Sequence, residues 1–165
     1  MKMLNQLFDQ LAYVTTDIDQ ATMLFRDQFG VAAFQVGEQE VDAEENGRPC
    51  KVRMKVAQAM MNGGELEIIE DRGSDTDLFR QNLPTDGSFA VKVHHVQFQI
   101  TGTHDEWLNY MEEMTRTHPP RLRGAVGDDL RFAFVDEMAG LGHNLEYVWF
   151  SDRQREKMKA VPKIG

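Results

Sequence analysis

Cysteine is nearly missing from this 165-residue chain. Cys50 stands alone, which excludes an intrachain disulfide and a thiolate metal cluster. Long apolar runs are missing too: no stretch approaches the roughly 18 residues that a membrane helix needs. The opening, MKMLNQLFDQ, has one Lys and no extended apolar segment, unlike a signal peptide. A cytoplasmic location is the expectation. Positive charge is in the minority, with 18 Lys and Arg against 27 Asp and Glu and a net charge of −9. Bulk attraction to nucleic acid or an anionic membrane is therefore not expected, which leaves a small molecule as the expected partner. What remains is ordinary globular composition, 41% hydrophobic and 27% charged, at a length that suits one domain.

The pattern along the chain reads β-α-β-β-β twice. LAYVTT, within Phe8–Thr15, is rich in β-branched and aromatic residues, as strands are. After Asp17, the residues Ile18, Ala21, Leu24 and Phe25 recur at helical spacing, and Gly30 stands where a helix ends. A short strand is expected over 33–37, followed by an acidic loop or loose hairpin, EQEVDAEENGRP. CKVRMKVAQ then alternates Val52, Met54 and Val56 with Lys51, Arg53 and Lys55, which predicts a half-buried strand. Asn62-Gly63-Gly64 is a turn signal, and ELEIIE is the last strand of the first half. A connection follows, with one helical turn expected near 77–82. VKVHHVQFQITG opens the second half as a strand, and THDEWLNYMEEMTRTH is an amphipathic helix with Trp107, Met111 and Met114 on one side. Pro119-Pro120 stops it. RLRGAVG, DLRFAFVD and NLEYVWF are three short strands, with MAGLGH as a turn, and a polar helical tail begins near Ser151. The expectation is a single α+β domain with modules of about residues 7–70 and 92–150, a linker of about 71–91 and a tail over 151–165. Two such modules pair across a pseudo-two-fold axis with a cleft between them.

Strand parity places polar groups in that cleft. His95, Gln97 and Gln99 share one face of their strand, opposite Val96, Phe98 and Ile100. Glu65, Glu67 and Ile69 lie together, as do Asn144, Glu146 and Val148. A carboxylate in mid-strand facing a cleft is costly unless it is paired, hydrated or metal-bound. Each residue alone reads most simply as a solvated side chain. Together they carry more, because Gln10 and His95 occupy the first strands of the two modules and Glu67 and Glu146 the last. Arg53, Lys55 and Arg131 face the cleft if parity runs the other way, where they would hold a carboxylate or phosphate.

FDQLAYVTTDIDQATMLFRDQFGV resembles the opening of vicinal oxygen chelate proteins, the superfamily of glyoxalase I and methylmalonyl-CoA epimerase. Gln10 follows Asp9, Asp17 and Asp19 stand before the helix, and Phe25-Arg26-Asp27 falls near its end. HHVQFQI resembles the start of the second module, and ELEIIE and GHNLEYV resemble the two module ends. The resemblance spans roughly residues 8–150. It implies a glyoxalase-like paired half-barrel with a divalent ion held by Gln10, Glu67, His95 and Glu146. Zn, Ni, Co, Mn and Mg all suit that donor set.

The same resemblance implies a lyase or isomerase that removes a proton beside a metal-bound carbonyl of a small organic or thioester substrate. Glu146 would act as base and Glu67 as ligand or proton donor. Strand parity, and not the resemblance, offers Gln97, Arg53 and Arg131 as residues to contact substrate. No arginines match those that hold glutathione in glyoxalase I. A ring-cleaving dioxygenase is the alternative within the superfamily, with Gln10 as its departure, and a non-catalytic ligand-binding protein is the alternative outside catalysis. A homodimer is compatible with the pseudo-symmetry.

Overall fold

The computed structural model describes residues 6–61 and 63–159. Asn62, first residue of an expected turn, lies outside them, as do residues 1–5 and 160–165. The first half runs β1 (Gln6–Thr15), α1 (Ile18–Phe29), β2 (Gln35–Glu45), β3 (Arg48–Met61) and β4 (Gly64–Asp71). The second runs β5 (Val91–Ile100), α2 (His104–Thr117), β6 (Leu122–Val126), β7 (Leu130–Val135), a short α3 (Met138–Leu141), β8 (Asn144–Phe150) and α4 (Asp152–Lys159). Among the described residues no helix is long and apolar enough to cross a membrane.

The eight strands close into one barrel in the order β1-β4-β3-β2-β6-β7-β8-β5. Each half begins with a parallel pair, β1 with β4 and β5 with β8, and the halves meet along β1–β5 and β2–β6, both antiparallel. The helices cover the outside. Asp17 caps α1 by accepting from the Gln20 N–H, and Gly30 ends it in the left-handed region at φ 72°. Its face Ile18, Ala21 and Phe25 packs on Ala57, Ala59 and Ile68 from the outer side of β3 and β4. A capping box of Thr103 and Glu106 starts α2. Trp107, Tyr110 and Met114 bury against Ala133, Val135 and Trp149. A third core lies inside the barrel, formed by Val52, Val56, Ile69, Leu122 and Phe134.

The structure refines three sequence expectations. The acidic stretch, read as a loop or loose hairpin, is a regular hairpin, with β2 eleven residues long and joined to β3 through Asn46 and Gly47 at φ 49° and 82°. Positive φ at both positions is what the tight hairpin turn requires, and Asn-Gly is its preferred pair. The acids of β2 are tolerable because β3 brings bases opposite: Lys51 reaches Glu40 and Asp42, and Arg53 reaches Glu40. The helical turn expected near 77–82 is a single one, closed by the Gln81 N–H on the Asp77 carbonyl at 2.8 Å, and it does not continue into a longer helix. Its Leu78 and Phe79, each 1% exposed, plug the barrel from the linker. Met138–Leu141, read as turn, is a four-residue helix ended by Gly142 in the left-handed region.

Candidate functional site

Register decides which side chains meet. Gln10 of β1 lies between Glu65 of β4 and Gln97 of β5, and Gln97 lies beside Glu146 of β8. On β3, Gln58 is opposite Glu67 and Met60 opposite Glu65. Two bulges then break the alternation between β1 and β5. One inserts Asp9 between the paired residues Phe8 and Gln10; the other inserts His94 between Val93 and His95. A bulge re-aims neighbouring side chains. Asp9 therefore lines the interior together with Gln10, and His94 and His95 are both buried.

The result is a chamber of about 370 Å³ within the barrel. At its polar end, His95 Nε2 stands 3.0 Å from Gln10 Oε1, 3.1 Å from Glu146 Oε2 and 3.9 Å from Glu67 Oε2. The Gln10 amide is orientated from behind: its Nε2 donates to Glu65 Oε1 at 2.6 Å, so its oxygen faces His95. Gln58 Nε2 donates to the same Glu65 oxygen at 2.7 Å and to Glu67 Oε1 at 3.2 Å. Gln97 Nε2 donates to Asp9 Oδ2.

The proton positions of the histidine pair follow from their partners. A backbone carbonyl only accepts, so the 3.0 Å contact between His94 Nε2 and the Leu78 carbonyl requires a hydrogen on that nitrogen. Burial holds both imidazoles neutral, pulling each down to about 3. Neutral His94 therefore has a bare Nδ1, and His95 Nδ1–H donates to it at 2.8 Å. His95 Nε2 is left with a lone pair aimed at Gln10, Glu67 and Glu146. Phe79 stacks on the His94 ring with centroids 4.9 Å apart, keeping the relay dry.

Acceptors thus face one another with few protons between them. Burial pushes the Glu146 carboxyl up to about 8, helped by the charge of Asp9. It raises Glu67 well above the usual range, with the Glu146 and Glu65 charges adding to the effect. Burial likewise raises Glu65 and Asp9. Among the described residues no Lys or Arg lines the chamber. A protonated Glu146 donating to His95 Nε2 relieves part of the crowding, and a cation would relieve the rest.

This is the test of fit for a divalent ion. The His and carboxylate groups alone make no ready cage of three among the described residues. With the Gln10 oxygen included, the donor chemistry fits: an imidazole lone pair, an amide oxygen and two carboxylates without counter-charge. The separations of 3.0 and 3.1 Å around His95 Nε2 match neighbouring ligands of a six-coordinate ion with bonds of about 2.0–2.1 Å.

Of the residues singled out from the sequence, Gln10, Glu67, His95, Gln97 and Glu146 come together within one chain. Arg53 and Arg131 do not join them. Inward positions of β3 are the even ones, Val52, Met54 and Gln58, and those of β7 are Leu130, Phe132 and Phe134. Arg53 turns outward to Glu40, Asp75 and the Gly73 carbonyl, and Arg131 to the carbonyls of Gly127 and Leu130. Lys55 reaches Asp19. Sequence reading missed Glu65 and Gln58 as orienting groups, although Glu65 shares its strand face with Glu67. Asp9 and His94 carried no signal, because bulges break the period of two.

No family model matches the chain, and no curated protein matches its sequence. Solved structures do match. A methylmalonyl-CoA epimerase in complex with methylmalonyl-CoA and NH4+ has a TM-score of 0.55 at 20% identity, over 89% of this chain and 96% of that one. A Streptomyces coelicolor methylmalonyl-CoA epimerase variant in complex with 2-nitronate-propionyl-CoA gives 0.54 at 22%, over 88% and 97%. The Mycobacterium tuberculosis methylmalonyl-CoA epimerase gives 0.54 at 15%, over 90% and 91%. The chain therefore shares the fold of these methylmalonyl-CoA epimerases, the glyoxalase-like paired half-barrel.

Proposed function

Proceeding from that shared fold, we propose that this chain is a metal-assisted isomerase of the epimerase type, moving a proton at a carbon beside a carbonyl. The observation that carries this reading is the convergence of the half-buried Glu67 and the buried Glu146 on the bare Nε2 of His95. Gln10, Glu67, His95 and Glu146 would hold the ion. When bound, a divalent ion stabilises the charge that develops on a substrate oxygen as the neighbouring C–H bond breaks.

Glu146 accepts that proton on its carboxylate. Burial raises its proton affinity in the metal-free barrel, the direction that suits a general base acting on a carbon acid. Glu67 comes from the other half of the barrel and can return a proton at a second face of the planar intermediate. Gln97, beside Glu146 in register, orients the substrate through its amide. The closed barrel keeps bulk water from the deprotonated carbon.

The test begins with the metal content of protein purified without chelator, followed by loss of α-proton NMR signals in D2O on a panel of 2-substituted ketones and thioesters. Near-stoichiometric Zn, Ni, Co or Mn and exchange that Glu146→Gln and Glu67→Gln each abolish are expected. Exchange surviving in both variants removes the assignment. Bound iron with oxygen uptake on a catechol would replace it by the ring-cleaving alternative.

A further inference from the structure

The polar end of the chamber is half of it. The other half is walled by hydrocarbon: Met54, Leu130, Phe132, Phe134 and Phe150 all line it. The basic residues nearest in sequence point away and are engaged elsewhere, Lys51 and Arg53 with Glu40, Lys55 with Asp19 and Arg123 with Glu44. Among the described residues, acidic lining residues number four, namely Asp9, Glu65, Glu67 and Glu146, while basic ones number none. Even with a divalent ion shared by Glu67 and Glu146, Asp9 and Glu65 are met by amide donors and by no cationic side chain of the described lining.

The way in has the same character. β2 pairs with β6 only at Ala43, Glu44 and Glu45. The earlier part of β2 and the end of β6 are thus unpaired with each other, and Val126 there is 49% exposed. Gln35 and Gln39 of that free stretch, with Gln154 and Met158 of α4, complete the lining. All four are uncharged. An anion entering would shed water without meeting a basic side chain of the described lining.

We infer that the substrate is an uncharged, largely hydrocarbon molecule of modest size with neighbouring oxygens at one end, and not a carboxylated or phosphorylated one. The oxygens meet the Gln10, His95 and Glu146 end, and the hydrocarbon body lies on Phe132, Phe150 and Leu130. The chamber of about 370 Å³ is at the small end of the range for small-molecule sites. The role of the oxygens rests on the isomerase reading above; the preference against charge rests on the lining alone.

A matched pair of probes tests this by calorimetric titration of the protein as purified. One is 1-hydroxy-2-acetonaphthone, uncharged and carrying two neighbouring oxygens. The other is 1-hydroxy-2-naphthoate, its anionic carboxylate of nearly the same outline. The acetonaphthone is expected to bind about tenfold tighter or better, and Leu130→Lys, which sets a cation in the wall, to narrow or reverse that preference. Gln154→Lys provides the same change on α4 should the first variant unfold. Equal affinities, tighter binding of the naphthoate, or binding of neither probe overturns the inference. Failure of the isomerase reading looks different: the preference persists in wild type and in Glu146→Gln while metal and proton exchange are absent.

Discussion

Gln10 and His95 hold equivalent places on the first strands of the two halves, yet they are aimed by opposite means. Gln10 is clamped by a charge, since its amide donates to the Glu65 carboxylate. His95 is aimed by a neutral chain running from the Leu78 carbonyl through His94, with no ionised group in it. The difference follows from depth. The His94 relay lies against Phe79 and Phe134 in the dry interior core, where an unpaired charge would be costly. The clamp of Gln10 borders the chamber, where Glu65 is only partly buried. Pseudo-symmetry reproduces the strand order of a half but not its chemistry.

Breaking the dry side should have the largest effect. Phe79→Ala removes the plug and the stack on His94, and is expected to cost about 3–5 kcal/mol in denaturant unfolding. His94→Phe keeps a ring against Phe79 but takes away the acceptor for His95 Nδ1–H. Metal affinity should fall about 10–100-fold, and stability by about 1–3 kcal/mol for the orphaned buried donor. Nitrogen NMR of His95 should show its single tautomer lost. His94→Gln, with an amide oxygen in reach, should restore part of both.

The pH response sharpens the comparison on the wet side. Glu146 is raised in the fold from 4.5 to about 8, so the metal-free protein should be most stable below pH 4.5 as far as this group is concerned. That contribution is lost as pH rises through about 8. Melting curves across that window should flatten in Glu146→Gln. Glu65→Gln should be mildest: an acceptor oxygen remains for Gln10, and only the charge that strengthens the clamp is removed. A loss of metal affinity of about tenfold is expected; a loss matching that of His94→Phe would show the two devices to be equivalent.

Much of this was legible beforehand where alternation was strict. Glu65, Glu67 and Ile69 turn inward and Leu66 and Ile68 outward on β4, as the period of two requires. On β3 the period was equally clear, but its sign was not. The basic face was free to serve the cleft until the acidic strand β2 paired beside it and engaged Lys51 and Arg53. β2 itself was hard to see, because alternating Gln and Glu with Val, Gly and Ala is a weak hydrophobic signal. The Asn46-Gly47 turn was the better clue.

The sequence by itself determined two βαβββ halves, their helices, and which residues share a strand face with Glu67, His95 and Glu146, because side-chain periodicity and helix caps are local properties; Gln10 was singled out by the family resemblance. Only the tertiary structure decided that Asp9 and His94 turn inward and that Leu78 and Phe79 fill the barrel from the linker. It alone decided that Arg53, Lys55 and Arg131 face away from the chamber. These depend on register shifts between strands some 80 residues apart and on which charged partner packs alongside, and neither is written in the period of any one strand.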